Sequence, residues 1–488
     1  MEQTYVTYEQ FGAVGDGIAD DMPAIVACHE YANAHGLPVV ARDDAVYYIG
    51  GKNLSATIRT DVRWGQARFT VDDRNPESIH NICFSVVPDA APVSISLPPL
   101  RHGQKQVDFP HKGHLYVRVS DNTRMIYIRK GLNQNNGTPT CDSFVVDEQG
   151  NIIGDINWDY DSYSDIYAVP ADDKPITLEG GIFTTIANEQ ESFYNYHSRN
   201  IHITRSHVTV RNLTHYVTGE GDHGAPYSGF LSVTEAWDVT LQDCLLTPHK
   251  TYMTPSKIPG QMVSMGSYDL NLFATIETRF IRLRQTIDIT DNRYWGLMGS
   301  NFSKKFYMED CIMSRFDAHM GVTDCIIRRC ELGHMGVNLI GFGQALIEDT
   351  VFRCSRTVSL RSDYGSFFHG KLILRNCTWI PTQLSKRRPA EVIGARNEGD
   401  HDFGYVCAMP QQIVIENLLI DDTHIDDPTL SYAVFPDYDA EFREGKPYPY
   451  GTPRAVMLKN IRAKSGRTVT LCRNIQEYPH LSTTLIEP

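Results

Sequence analysis

The sequence predicts an all-β fold in which parallel strands stack as coils, a parallel β-helix. Three observations carry that expectation: a recurring six-residue run, an interval near 20 residues between runs, and a polar residue in one slot of each run. The runs occupy residues 208–213, 239–244, 306–311, 325–330, 345–350, 372–377, 413–418 and 456–461. Their fifth positions hold Asn212, Asp243, Asp310, Arg329, Asp349, Asn376, Asn417 and Asn460. The interval is 19 residues from Asp310 to Arg329 and 20 from Arg329 to Asp349, one coil each. Intervals of 31 (Asn212 to Asp243) and 27 (Asp349 to Asn376) fit coils carrying longer loops. A repeat built from two helices needs more than about thirty residues, so stacked strands remain. One coil cannot bury its inner face alone; stacking creates the continuous core. The Asn/Asp slot then reads as a turn residue, with Cys244, Cys311, Cys330 and Cys377 stacked inside as small apolar side chains.

Composition agrees. At 488 residues and 41% hydrophobic, the chain needs neither disulfide nor metal to build a core. A net charge of -14 argues against nucleic acid or an anionic membrane as the main partner, both of which call for a cationic surface. No run of about 18 apolar residues suggests membrane insertion, and the first ten residues lack the basic and apolar regions of a signal peptide. The expected location is extracellular or periplasmic if a signal peptide has been removed. Eleven cysteines without a paired CxxC or HxxxH pattern give no zinc site, and neither metal nor cofactor is expected.

Near the N-terminus, Ile25, Cys28, Tyr31 and Ala32 have helical spacing, with Asp20 or Asp21 as cap, Pro23 in the first turn and Gly36 at the end. This short amphipathic helix is expected to plug one end of the solenoid. The preceding residues, Phe11-Gly12-Ala13-Val14-Gly15-Asp16-Gly17, run on to Asp20-Asp21 and Ala24-Ile25. They resemble the entry motif of the pectin-lyase-like right-handed parallel β-helix superfamily, which includes polygalacturonase relatives, pectate lyases and phage tailspikes. The resemblance implies an N-terminal cap, a right-handed coil and a flank that binds and cleaves carbohydrate chains. Asp16 reads as a turn former beside glycine. The NTD, DD, GHG and RIK elements of polygalacturonases have no clear counterpart, residues 333–336 reading only GHMG, and no acid set matches the calcium site of pectate lyases.

Four regions follow: 1–78, cap and first coils; 79–189, an inserted β-rich module with short alternating strands and a hairpin turn at 148–151; 190–465, the β-helix body with the catalytic flank; and 466–488, a C-terminal cap or tail.

Acids, arginines, histidines and aromatics concentrate in residues 288–296, 314–321 and 333–336. Coils lie about 5 Å apart, so these stretches can share one flank. Glycosidic hydrolysis needs a proton donor and a second carboxylate. Asp317 with Asp291 or Asp288 meets that need, with His319, two residues from Asp317 on the same strand face, orienting it. Arg293, Arg315, His334, Arg361 and Asp363 are the expected substrate-binding polar groups, and Tyr294 and Trp295 the platform for a pyranose face. Turn formation by Asp291, a structural ion pair for Asp317 and a core-edge place for His334 are the competing readings. Glu220, Asp222 and His223 in the Gly-rich residues 219–224 form a further candidate. The expected function is a glycoside hydrolase acting on a polysaccharide or oligosaccharide, as monomer or homotrimer. The alternatives are a polysaccharide lyase that cleaves a uronic-acid-containing glycan by β-elimination, and a non-enzymatic phage or surface glycan-binding protein.

Overall fold

The computed structural model describes residues 3–395, 403–437, 449–478 and 481–486; the remaining positions of the four regions above lie outside the described residues. Parallel strands pair coil on coil into one 27-stranded sheet. The register of the central coils is continuous. Met308 pairs with Ile327, Ile347, Leu374, Ile415 and Leu458 in succession, all pointing into the core. One position later the row faces outward and reads Glu309, Arg328, Glu348, Arg375, Glu416 and Lys459. Charge alternates along this row, and Arg375 bridges Glu416 at 2.8 Å and Glu348 at 3.8 Å. A slip by one coil would set like charges against each other, so the row helps fix the stacking.

The slot after this row turns the chain. All eight predicted slot residues have left-handed backbone, with φ from 49° at Asp349 to 57° at Asn212 and Asn417. That conformation costs a side chain bearing a Cβ roughly 1–2 kcal/mol, and Asn and Asp tolerate it best. Stacking adds a second reason for Asn. The Asn376 amide donates to Asp349 at 3.2 Å, Asn417 to Asn376 at 2.8 Å, and Asn460 to Asn417 at 3.0 Å. Where arginine fills the slot, it pairs with the aspartate one coil back, as Arg329 does with Asp310 at 2.9 Å. A ninth slot, Arg282 with φ 53°, escaped the sequence pattern because its run, 278–283, holds Arg279 at its second position and carries no Asn or Asp. It binds Asp243 at 2.6 Å and fills the interval between Asp243 and Asp310. The inner cysteines are fully buried, and burial pushes the thiols of Cys244 and Cys377 up to about 12, so they act as core side chains.

The helix Met22–His35 closes the N-terminal end with Ile25, Cys28, His29 and Ala32 buried. Gly36 ends it in left-handed conformation, φ 64°. The two acids of the entry motif divide their work. Asp20 accepts from the Met22 amide at 3.2 Å, whereas Asp21 reaches back to the Val14 and Gly15 amides at 2.6 and 3.2 Å. Asp16 accepts from Ile18 and Ala19 at 2.8 and 2.9 Å, a turn role.

Within 79–189, Phe84–Val86 and Ile176–Ile186 pair in the parallel sheet, and between them lies a separate four-stranded antiparallel sheet. It comprises Leu115–Ile126, Thr138–Val146, Ile152–Ile153 and Asp165–Pro170. This unit is bolted to the coils. Tyr116, Val145 and Val169 pack on Trp237 and Ile276, Arg118 pairs with Glu235, and the buried Lys304 ammonium pairs with Asp142. In the region after residue 465, Val469–Thr470 joins a small parallel sheet and Ser482–Ile486 extends the main one.

The slot geometry sets the first expectation. Asn417→Gly keeps the turn but breaks the amide ladder to Asn376 and Asn460 and lowers stability by about 1 kcal/mol, while Asn417→Val, which also cannot hold φ near +57° without strain, lowers it by about 1–2 kcal/mol more in denaturant titrations.

Candidate active-site cleft

A cleft of about 450 Å³ opens where the inserted unit meets the coils. Its floor comes from stacked strands: Tyr268 and Asn271 from Tyr268–Phe273, Asn301 from Met298–Glu309, His319 from Ile312–Arg328. Arg361 and Tyr364 enter from the turn around Ser362–Tyr364, and Arg129 from the loop following Leu115–Ile126. Lys257, from the hairpin of Tyr252–Pro255 and Met262–Met265, completes a wall. Glycine makes room for the key ring. A Cβ on Gly299 would come 2.9 Å from the Tyr268 ring, and one on Gly266 would meet the Trp295 Nε1 at 2.5 Å and the Tyr268 hydroxyl at 2.6 Å.

Charge in the cleft is organised by arginine. Asp363 accepts from Arg361 at 3.0 and 3.2 Å and from Arg129 at 2.6 Å. Burial opposes ionisation of Asp363, but the two guanidinium groups outweigh it and hold its carboxyl down at about 2. Both guanidinium groups also lie over the Tyr364 ring, at 5.4 and 5.0 Å. Behind them Asp317 is fully enclosed, paired with Arg315 and 3.7 Å from Arg361. Arg129, Arg315 and Arg361 thus share Asp317 and Asp363, Lys257 adds a further cation to the wall, and among the described residues no Asp or Glu lines the cleft itself. A local excess of positive charge results, on a chain whose net charge is -14.

Two proton-bearing groups lie on this floor. His319 Nδ1 lies 3.0 Å from Asn301 Oδ1, and Nε2 lies 3.2 Å from the Tyr364 hydroxyl. Burial, then the charges of Arg361 and Arg129, push its pKa well below the usual range, so the ring is neutral near pH 7. With Nδ1–H donating to Asn301, Nε2 accepts from Tyr364. Burial first, then Asp317, raises the Tyr268 pKa, while Arg315, Arg361 and the Trp295 N–H pull it back. On balance the hydroxyl stays protonated at neutral pH, and the two arginines lessen the cost of ionising it. Trp295 Nε1 is buried and meets no acceptor in hydrogen-bond geometry among the described residues.

The sequence-predicted residues separate into three groups. His319, Trp295 and Arg361 line the cleft; Arg315, Asp317 and Asp363 form the charged layer beneath it. The rest stand elsewhere. Asp288 accepts from Thr290 N and Oγ1 at 2.8 and 2.9 Å, a turn. Asp291 is clamped by Arg293, whose guanidinium holds its carboxyl down at about 2. Arg293 lies over the Tyr294 ring at 5.9 Å, and His334 Nδ1 meets the Ile289 carbonyl at 3.1 Å, fastening this loop to the coil above. Asp291 and Asp288 are therefore not brought to the cleft beside Asp317, because their side chains close the turn of their own loop. Sequence reading missed Arg129, Lys257, Tyr268, Asn271 and Asn301. Arg129 and Lys257 belong to insertions without coil register, and the strand carrying Tyr268 belongs to a coil whose run had not been recognised.

Glu220 belongs to a buried network, not to a loop surface. His249 Nδ1 meets Glu220 at 3.0 Å and its Nε2 stands 3.5 Å from Asp269, which accepts from His215 Nδ1 at 2.7 Å. Tyr252 donates to Glu220 at 2.8 Å, and the Tyr227 ring stacks on His249 at 4.7 Å. The network anchors the base of the hairpin that walls the cleft. Asp222 stays outside it, and His223 is exposed, 3.8 Å from Glu191.

No family model and no curated protein matches the chain. Solved structures do. The tailspike gp61 of Pseudomonas phage phi297 matches with a TM-score of 0.55 and 11% identity over 99% of this chain and 84% of that one. The tailspike protein gp49 of Pseudomonas phage LKA1 matches with a TM-score of 0.51 and 13% identity over 95% and 82%. The fold is the pectin-lyase-like right-handed parallel β-helix.

The buried network gives a pH expectation. Burial disfavours protonated His249, but Glu220 and Asp269 outweigh it and raise its pKa to about 9. A raised pKa stabilises the fold fully below the unfolded value of about 6.5 and loses that contribution as pH rises through 9. The thermal midpoint of the wild type should fall between pH 6.5 and 9, and His249→Gln should flatten that dependence.

Proposed function

We propose that the chain binds an acidic polysaccharide in this cleft and cleaves it by β-elimination. One observation carries the reading: the floor presents arginine, asparagine, tyrosine and neutral histidine, and among the described residues no carboxylate lines it. Elimination begins with loss of the proton next to a uronate carboxylate, and that proton becomes acidic enough only when the carboxylate charge is neutralised. Arg361 and Arg129 are the groups suited to that, with Asn301 as a neutral partner. Tyr268 is the proton-transfer group of choice by its place on the floor beside Arg361, and Arg315 and Arg361 partly offset the burial and the Asp317 charge that raise its pKa. As base it takes the C5 proton; the electron pair forms the C4–C5 double bond, and the glycosidic oxygen leaves with a proton from Tyr268 or the Tyr364–His319 pair.

Hydrolysis by Asp317 with Asp291 or Asp288 is less well supported. Paired carboxylates must flank the scissile bond at about 5–10 Å, whereas Asp317 is enclosed by Arg315 and Arg361 and Asp291 is held by Arg293. The likeness to two phage tailspikes supports a setting outside the cell.

Incubation with a panel of uronate-containing plant and bacterial polysaccharides tests the reading. Reducing ends and the ultraviolet absorbance of an unsaturated uronate should rise together. Reducing ends without absorbance would mean hydrolysis, and binding without either would leave a glycan-binding protein. Tyr268→Phe should lower kcat by at least about a hundredfold, Arg361→Ala should weaken substrate binding as well, and Asp291→Asn should leave turnover intact.

A further inference from the structure

The inserted unit creates a second cleft on the other side of its anchoring strand. Tyr127 lies between the two, 2% exposed, its ring packed against Tyr364 of the first cleft at 6.3 Å and Phe367 of the second at 6.0 Å. The second cleft encloses about 720 Å³.

Its walls are aromatic. Phe342 and His369 are parallel-strand partners one coil apart, so their rings project together, 6.0 Å between centroids and 20° between planes. Trp158, from the inserted unit, meets Phe342 edge-on at 5.2 Å and 87°. These three rings are half-buried, each keeping a solvent-facing surface, where a core cluster would hide them. Arg124 lies over Trp158 at 5.3 Å and Lys304 holds Asp142, which in turn accepts from the Trp158 amide at 3.2 Å, so the indole is fixed in place.

The polar lining differs in kind from that of the first cleft. Lys105 is ion-paired with Asp155, and burial keeps His369 neutral, with Nε2 on the Val406 carbonyl at 3.2 Å. Gln411 and Asn157 present amides. The paired charges cancel, so none of the described residues lining this cleft selects an anion. Flat aromatic faces beside amides and a closed ion pair match the two surfaces of a pyranose: C–H groups on one face and hydroxyls around the edge.

We propose that this second cleft is a separate, non-catalytic binding site for neutral pyranose units, built from Phe342, His369 and Trp158. It does not depend on the elimination chemistry assigned to the first cleft, and it gives the inserted unit a function: one wall of each site.

The test is titration of the full-length protein with neutral oligosaccharides (gluco-, manno-, galacto- and N-acetylglucosamine oligomers) followed by tryptophan fluorescence and saturation-transfer NMR. The expected result is binding that Tyr268→Phe and Arg361→Ala leave unchanged. Phe342→Ala should weaken it by at least about fivefold. His369→Leu, which keeps the volume of a half-exposed side chain while removing the ring face, should weaken it likewise at an unchanged unfolding midpoint, should Phe342→Ala disturb folding. Three outcomes would overturn the proposal: no binding of any neutral oligomer at millimolar concentration, binding lost in Arg361→Ala, or binding unaffected by both second-cleft variants. Turnover of acidic polysaccharide in the first cleft is a separate readout, so failure of either assignment leaves the other standing.

Discussion

The left-handed turn that recurs once per coil is the constraint on which the rest of the structure depends. It lets one straight parallel strand run into the next at a fixed angle, and it recurs at the same height in every coil, so strand registers agree from coil to coil. Asn and Asp relieve its backbone strain and then bond across coils, Asn460 to Asn417 to Asn376 to Asp349. The alternating row from Glu309 to Lys459 sits beside it and penalises misregistration. With these rows set, a side chain on one coil has a fixed neighbour on the next. That is how Asn301 and His319, 18 residues apart, come to share a hydrogen bond.

Function is built on this regular frame by irregular pieces. The coils supply Asn301, His319, Tyr268 and the enclosed pair of Arg315 and Asp317; insertions supply Arg129, Lys257 and Trp158. Asp317 and Asp363 serve chiefly to hold arginines. Without those carboxylates four cations would crowd one depression, and with them the guanidinium planes stay fixed and still leave a positive surface. A chain of strongly acidic composition thereby presents a basic cleft on one side of the inserted unit and a charge-neutral, aromatic cleft on the other.

The fold was legible because its signals are local and repeated: each coil rewrites the same apolar alternation and the same turn residue, and the entry motif marks the cap. The coil around Arg282 was missed because arginine can fill the turn when an aspartate one coil back compensates, an exchange that no window of one coil reveals. At the site, the stretch around Asp317 was legible as a concentration of charged and aromatic residues. The role of each carboxylate was not: Asp288 and Asp291 carry the same functional group as Asp317 but spend it on turns of their own loop.

By itself, then, the sequence determined the coil, its period, its turn residue and its N-terminal plug, since these follow from side-chain alternation and backbone preference within a few residues. Tertiary structure decided which polar groups face a cleft and which are enclosed by partners. Arg129 lies 234 residues from Asp363 and Trp158 far from Phe342, and only folding of the inserted unit against the coils brings each pair within contact. Burial and neighbouring charge, which set whether a carboxylate, histidine or tyrosine can move a proton, exist only once those distant segments meet.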